Sequence, residues 1–112
     1  MKKIAILACL NSNNVCAGCG CLKAFNHRTA HFEAYAGTEL ELCAFMRCSH
    51  CGVDPLTDPG MMEKLERLVK TGVETAHIGV CAKKKDCSTC PYMQAVADWL
   101  TEHGIQVVWG TH

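Results

Sequence analysis

The sequence predicts a small three-layer α/β sandwich around a four-stranded parallel sheet, Rossmann-like or flavodoxin-like in layout. Three observations lead there. Four short apolar runs, residues 3–8, 40–47, 75–80 and 105–109, alternate with three helical patterns. The runs are apolar nearly throughout, as strands covered on both faces are. The stretches joining them each exceed twenty residues, which implies right-handed crossovers rather than hairpins. At 112 residues one domain spanning 1–112 is expected, burying roughly 65% of the surface of its extended chain.

The first strand is KIAILA, residues 3–8. A helix over about Ala17 to Phe32 follows, with Leu22 and Phe25 turned inward. LELCAFMR, residues 40–47, is the second strand. Asp58-Pro59 then supplies an N-cap and a proline at the first helical position. Met61, Met62, Leu65, Leu68 and Val69 recur at helical spacing on one face. Glu63 with Arg67, and Glu66 with Lys70, are i,i+4 pairs for the wet side, and Gly72 closes the helix. TAHIGV, residues 75–80, is the third strand. The last helix starts at Pro91, buries Met93, Val96, Ala97 and Leu100, and stops at Gly104 before the fourth strand, IQVVW. The order 2-1-3-4 is expected, because it gives the first strand a neighbour on each side.

Composition excludes several functions. Eleven basic and eleven acidic residues balance to a formal zero, so no global field draws in nucleic acid or an anionic membrane. The one basic run, Lys83-Lys84-Lys85, reads as a solvated loop. The opening MKKIAILAC has too short an apolar stretch for a signal peptide, and no run reaches the ~18 residues of a membrane span. A cytoplasmic protein is expected. Gly18 and Gly20 lack the spacing and the lysine of a phosphate loop.

Ten cysteines are then the anomaly. A chain that is 49% apolar can build a core without disulfide staples. The placement is informative: Cys9 follows the first strand, Cys48 and Cys51 the second, Cys81 the third, and Thr111-His112 the fourth. Cys16, Cys19 and Cys21 fall in the loop at the mouth of the first helix. Cys87 and Cys90 precede the last helix. Nine thiols thus map to the carboxyl edge of the sheet, where ligands of open α/β sheets bind, and Cys9 and Cys81 flank the expected crevice. Cys43, inside a strand, reads as a buried inert thiol. Crowded thiolates repel unless a cation holds them, and a metal releases their protons. The set is a soft-metal pattern that leaves zinc and an iron–sulfur cluster both open. His50 and His112 are further ligand candidates by location; His27, His31, His77 and His103 read as surface or satisfied core histidines.

The opening KKIAILAC, Cys16-Ala17-Gly18, Cys48-x-x-Cys51 after a strand, Cys81, Cys90-Pro91 and the closing Gly-Thr-His resemble the CGGC-domain family along nearly the whole chain. The resemblance implies a metal-binding protein with no assigned activity. It also implies that Cys9, Cys16, Cys48, Cys51, Cys81, Cys90 and His112 are the shared positions. Cys19, Cys21 and Cys87 are additions in this chain. Ser49 and His50 stand where the family has two glycines, so His50 either crowds the site or supplies a further ligand.

The leading expectation is therefore a metal- or cluster-binding protein, in redox chemistry or metal handling, with no catalytic residue assigned. The alternative is a thiol–disulfide enzyme using Cys48 and Cys51, or Cys87 and Cys90, as attacking and resolving thiols. A structural zinc domain is the third reading.

Overall fold

Strand–helix alternation dictates the architecture of the computed structural model, which describes residues 1–79 and 90–111. The strands are β1 (Lys2–Ala8), β2 (Leu40–Arg47), β3 (Thr75–Ile78) and β4 (Gln106–Trp109). All pair in parallel, in the order β2-β1-β3-β4. The helices are α1 (Cys19–His27), α2 (Pro59–Thr71) and α3 (Pro91–Glu102). This is the three-layer sandwich, and the strand order, that the sequence predicts. The expectations for Val80, Cys81, Lys83-Lys84-Lys85, Cys87 and His112 fall outside the described residues.

The sheet divides two cores. On one face Ala5, Leu7, Ala76 and Ile78 meet Met61, Leu65 and Leu68 of α2 and Met93, Val96 and Leu100 of α3. On the other, Ile4 and Ile6 pack with Cys21, Ala24 and Phe25 of α1 and with Phe32. Each such aliphatic or aromatic side chain, taken fully from water, contributes about 1.5–3 kcal/mol. The alternation of β1 between the faces is the two-residue period of a strand.

Capping explains α2. The Asp58 side chain accepts from Gly60 N at 3.0 Å and Met61 N at 3.5 Å, Pro59 opens the helix, and Gly72 ends it at φ +84°. Glu63 and Arg67 pair at 2.9 Å on the wet face. Val69, expected inward, is exposed instead, because it lies at the margin of the stripe that Met61, Leu65 and Leu68 fill.

The first helix is shorter than the sequence suggests. Gly18 caps it at φ +80°, in a position where a Cβ would stand 3.0 Å from the Phe45 ring. It stops at His27 because Arg28 and Ala30 both adopt left-handed conformations, at φ 56° and 51°, and a 3₁₀ turn over Ala30–Tyr35 follows. That reversal lays Phe32 against His77, with ring centroids 4.2 Å apart. Inward residues are Cys21, Ala24 and Phe25; Leu22 is only half-buried. Among the described residues no helix is long and apolar enough to cross a membrane.

Candidate functional site

Two strand ends bring the first thiols together. Ala8 of β1 pairs with Arg47 of β2, so the next residues, Cys9 and Cys48, leave the sheet side by side. Neighbouring strands lie ~4.8 Å apart. Parity decides the face: Ala5 and Leu7 point to the α2/α3 side, and Cys9 continues that phase. On β2, Leu40 and Leu42 point to the α1 side, whereas Ala44, Met46 and Cys48 point to the α2/α3 side. The phase changes at a bulge. Ile4 pairs with Leu42 but Ala5 with Ala44, so Cys43 is the extra residue. A bulge re-aims the side chains beyond it; without this one, Cys48 would follow Leu40 and Leu42 to the opposite face.

The third segment is the start of α3. Cys90 is its N-cap residue, followed by Pro91. A small cleft of about 30 Å³ is lined by Cys9, Cys48, Cys51, Cys90 and His50, with Leu10, Tyr92 and Met93 as apolar wall. The α3 amino terminus at its rim favours negative charge there.

Cys48 records how crowded the cleft is. Burial first, then the nearby Cys9 and Cys90 sulfurs, push its thiol up to about 11; Cys51 adds to this and Lys64 opposes it. The Lys64 ammonium is held at 2.9 Å by the Arg47 carbonyl, one residue before Cys48. Cys51 is exposed and accepts a hydrogen bond from Asn11 Nδ2 at 3.2 Å. His50 Nδ1 donates to Asp58 Oδ2 at 2.5 Å. The imidazole beside Asp58 holds its carboxyl below the usual carboxylate range.

Other candidates lie elsewhere. Cys16 Sγ accepts from Gly18 N at 3.3 Å and its carbonyl takes the Arg47 guanidinium at 3.2 Å, away from the cleft lining. Cys19 is exposed on the first residue of α1 rather than in a loop. Cys21, also expected in that loop, is a buried helix residue 3.0 Å from Thr111 Oγ1. It belongs to the core on the far side of the sheet, since it lies inside the helix that begins at Cys19 and faces inward with Ala24 and Phe25. Cys43 is half-buried at the bulge, not sealed inside a strand, because β2 is an edge strand. His77 is a satisfied core residue, with Tyr35 Oη at 2.8 Å and the Gly110 carbonyl at 2.9 Å. His103 stacks on Trp99 at the surface. Cys81, Cys87 and His112 lie outside the described residues.

Sequence reasoning missed Asn11, Lys64 and Asp58. Asn11 sits two residues after Cys9, and Asp58 announces itself only as a helix cap. As the side chains stand, no three His, Cys, Asp or Glu among the described residues are placed to hold a metal ion. The donors still suit one: four sulfurs share an apolar-walled cleft and raise the cost of ionising Cys48, a cost that a soft cation removes.

A family model described as the CGGC domain matches residues 3–112. The chain belongs to the CGGC domain family. Membership suggests metal binding without specifying an ion, a cluster or a redox role. No curated protein and no solved structure matches the chain. In this CGGC domain the two residues between Cys48 and Cys51 are Ser49 and His50. Ser49 turns its hydroxyl toward Met61 Sδ, at 4.0 Å, while His50 lines the cleft.

Proposed function

We propose that this CGGC domain binds a soft metal ion or an iron–sulfur cluster through thiolates gathered at the carboxyl edge of its sheet. The observation that carries this reading is the meeting of Cys9, Cys48, Cys51 and Cys90, from three separate chain segments, in one cleft. Sulfurs around a tetrahedral zinc lie about 3.8 Å apart, given the ~2.3 Å Zn–S bond. Side-chain rotation spans the difference from the strand spacing. Cys81, and His112 at the chain end, extend the proposed ligand set by family correspondence; Cys16 stands outside the cleft as the side chains lie. When bound, zinc supplies Lewis acidity or a structural clamp, and a cluster supplies electron transfer. The chain itself provides the thiolates, the apolar wall that thins the water, and Lys64 to offset their charge.

A thiol–disulfide enzyme is the second reading, and one observation favours it. Cys51 is exposed and hydrogen-bonded by Asn11, three positions from the protonated, half-buried Cys48. Attack of Cys51 on an external disulfide would release one thiol. Cys48 would then displace the second, leaving Cys48 and Cys51 oxidised to a disulfide and the partner reduced. Anaerobically isolated protein separates the two. A metal content that tracks protein, with brown colour for a cluster or none for zinc, supports the first reading. Less than about a tenth of an equivalent in aerobic and anaerobic preparations alike abandons it, because structural thiolate sites bind zinc tightly enough to survive purification.

A further inference from the structure

The Asp58 carboxylate divides its two oxygens between two tasks. Oδ1 caps α2, at 3.0 Å from Gly60 N and 3.5 Å from Met61 N. Oδ2 receives His50 Nδ1 at 2.5 Å. Asp58 is almost wholly buried, at 8% side-chain exposure, and is fixed by the helix it caps; the His50 side chain is 66% exposed. A buried acceptor therefore holds an exposed imidazole. A carboxylate can only accept, so Nδ1 carries a proton, and in the neutral ring the lone pair is left on Nε2. His50 is also one of the residues lining the cleft formed by Cys9, Cys48, Cys51 and Cys90.

We propose that His50 is a nitrogen ligand, through Nε2, to the metal held by these thiols, and that Asp58 is its positioning residue. The inference rests on the metal-binding reading above and adds a ligand and its support. Carboxylate–histidine–metal arrays of this kind fix ring orientation and tautomer and raise ligand basicity. The bland alternative is a brace: the same hydrogen bond would tie the loop after β2 to the start of α2. The two readings part at Nε2. A brace has no use for that atom, whereas a ligand depends on it.

The decisive variant is Asp58→Asn. Asparagine caps a helix about as well as aspartate, so α2 keeps its start. Its amide nitrogen, replacing Oδ2, donates to Nδ1 and drives the imidazole proton onto Nε2, where it blocks coordination. His50→Ala removes the ligand outright. Full-length protein and both variants are titrated with Zn²⁺ against a chromophoric chelator and with Co²⁺ by visible absorption. Nitrogen-15 histidine spectra report the tautomer before metal is added. The wild type is expected to show the Nδ1–H form of His50, and Zn²⁺ is expected to shift Nε2. Asp58→Asn is expected to show the Nε2–H form and to weaken Zn²⁺ binding about ten- to a hundredfold with an unchanged melting temperature. His50→Ala is expected to move the Co²⁺ ligand-field bands toward an all-sulfur pattern. Unaltered Zn²⁺ affinity and Co²⁺ bands in both variants would overturn the inference and leave a brace. So would loss of affinity in His50→Ala with none in Asp58→Asn, which removes Asp58 from its role. A wild type that takes up neither metal sinks the underlying metal-binding reading instead.

Discussion

Alkylation of the reduced, metal-free protein puts a number on the crowding around Cys48. Burial and the neighbouring sulfurs raise that thiol from an ordinary value of 9.0 to about 11. At about pH 8 its thiolate fraction is then roughly a hundredfold below that of an ordinary cysteine, since only thiolate reacts. The rarer thiolate is also the better nucleophile. With a Brønsted coefficient of about 0.4–0.5, the higher pKa returns roughly a factor of ten. The net expectation is a rate about tenfold below that of an unperturbed thiol, before any steric shielding slows it further. Cleavage after Arg47 and Lys64 places Cys48 and Cys51 on one peptide, so tandem mass spectrometry compares them within a single sample. Cys51, exposed beside Asn11, is expected to label well ahead of Cys48. Labelling of Cys48 as fast as Cys51 would refute the argument from burial and sulfur crowding.

Further outcomes follow from the same structure. Saturating Zn²⁺ is expected to protect Cys48, Cys51 and Cys90 from iodoacetamide while leaving the exposed Cys19 as reactive as before; equal protection everywhere would indicate non-specific binding. Tyr35→Phe strands the Nε2 acceptor of the buried His77, and chemical denaturation is expected to register a loss of about 1–3 kcal/mol. Burial holds His77 below the usual histidine range, despite the Gly110 carbonyl that favours its protonated form. Its folded form therefore binds its proton at lower pH than the unfolded chain, whose imidazole titrates near ~6.5. Stability contributed by His77 is present above that value and falls with pH below it, by up to about 1.4 kcal/mol per pH unit, levelling once the folded imidazole also protonates. Replacing His77 by Leu is expected to remove that slope. Gly110→Ala places a Cβ 2.4 Å from the His31 ring at φ +129°, so the melting temperature is expected to fall by several degrees.

Much of the fold was legible because its signals are local. Pro59 and Gly72 bracket α2, and Pro91 opens α3. The apolar runs are separated by stretches that only crossovers can fill. The order β2-β1-β3-β4 follows from giving the most uninterrupted run two neighbours. The end of the first helix is not legible because nothing in Arg28-Thr29-Ala30 marks the two left-handed residues that bring Phe32 against His77. The site was legible at the level of strand ends. Cys9 and Cys48 could be placed at one edge from their positions after apolar runs. Their common face could not, since it depends on the bulge at Cys43, and Leu-Cys-Ala-Phe contains no glycine to announce one. The His50–Asp58 hydrogen bond joins residues across a loop, with no period that a sequence reveals. Cys21 misled for a related reason: a thiol among other thiols looks like a ligand, yet one helical turn carries it into the core beside Thr111.

The claim on which the account turns is that sulfurs from distant segments share one ion on the α2/α3 side of the sheet. Metal content per chain, measured on anaerobically isolated Cys9→Ser, Cys48→Ser, Cys90→Ser and Cys43→Ser proteins, tests it directly. Each of the first three is expected to lose its metal while Cys43→Ser, whose residue lies outside the cleft lining, keeps it. Retention of full metal by Cys48→Ser and Cys90→Ser would contradict it.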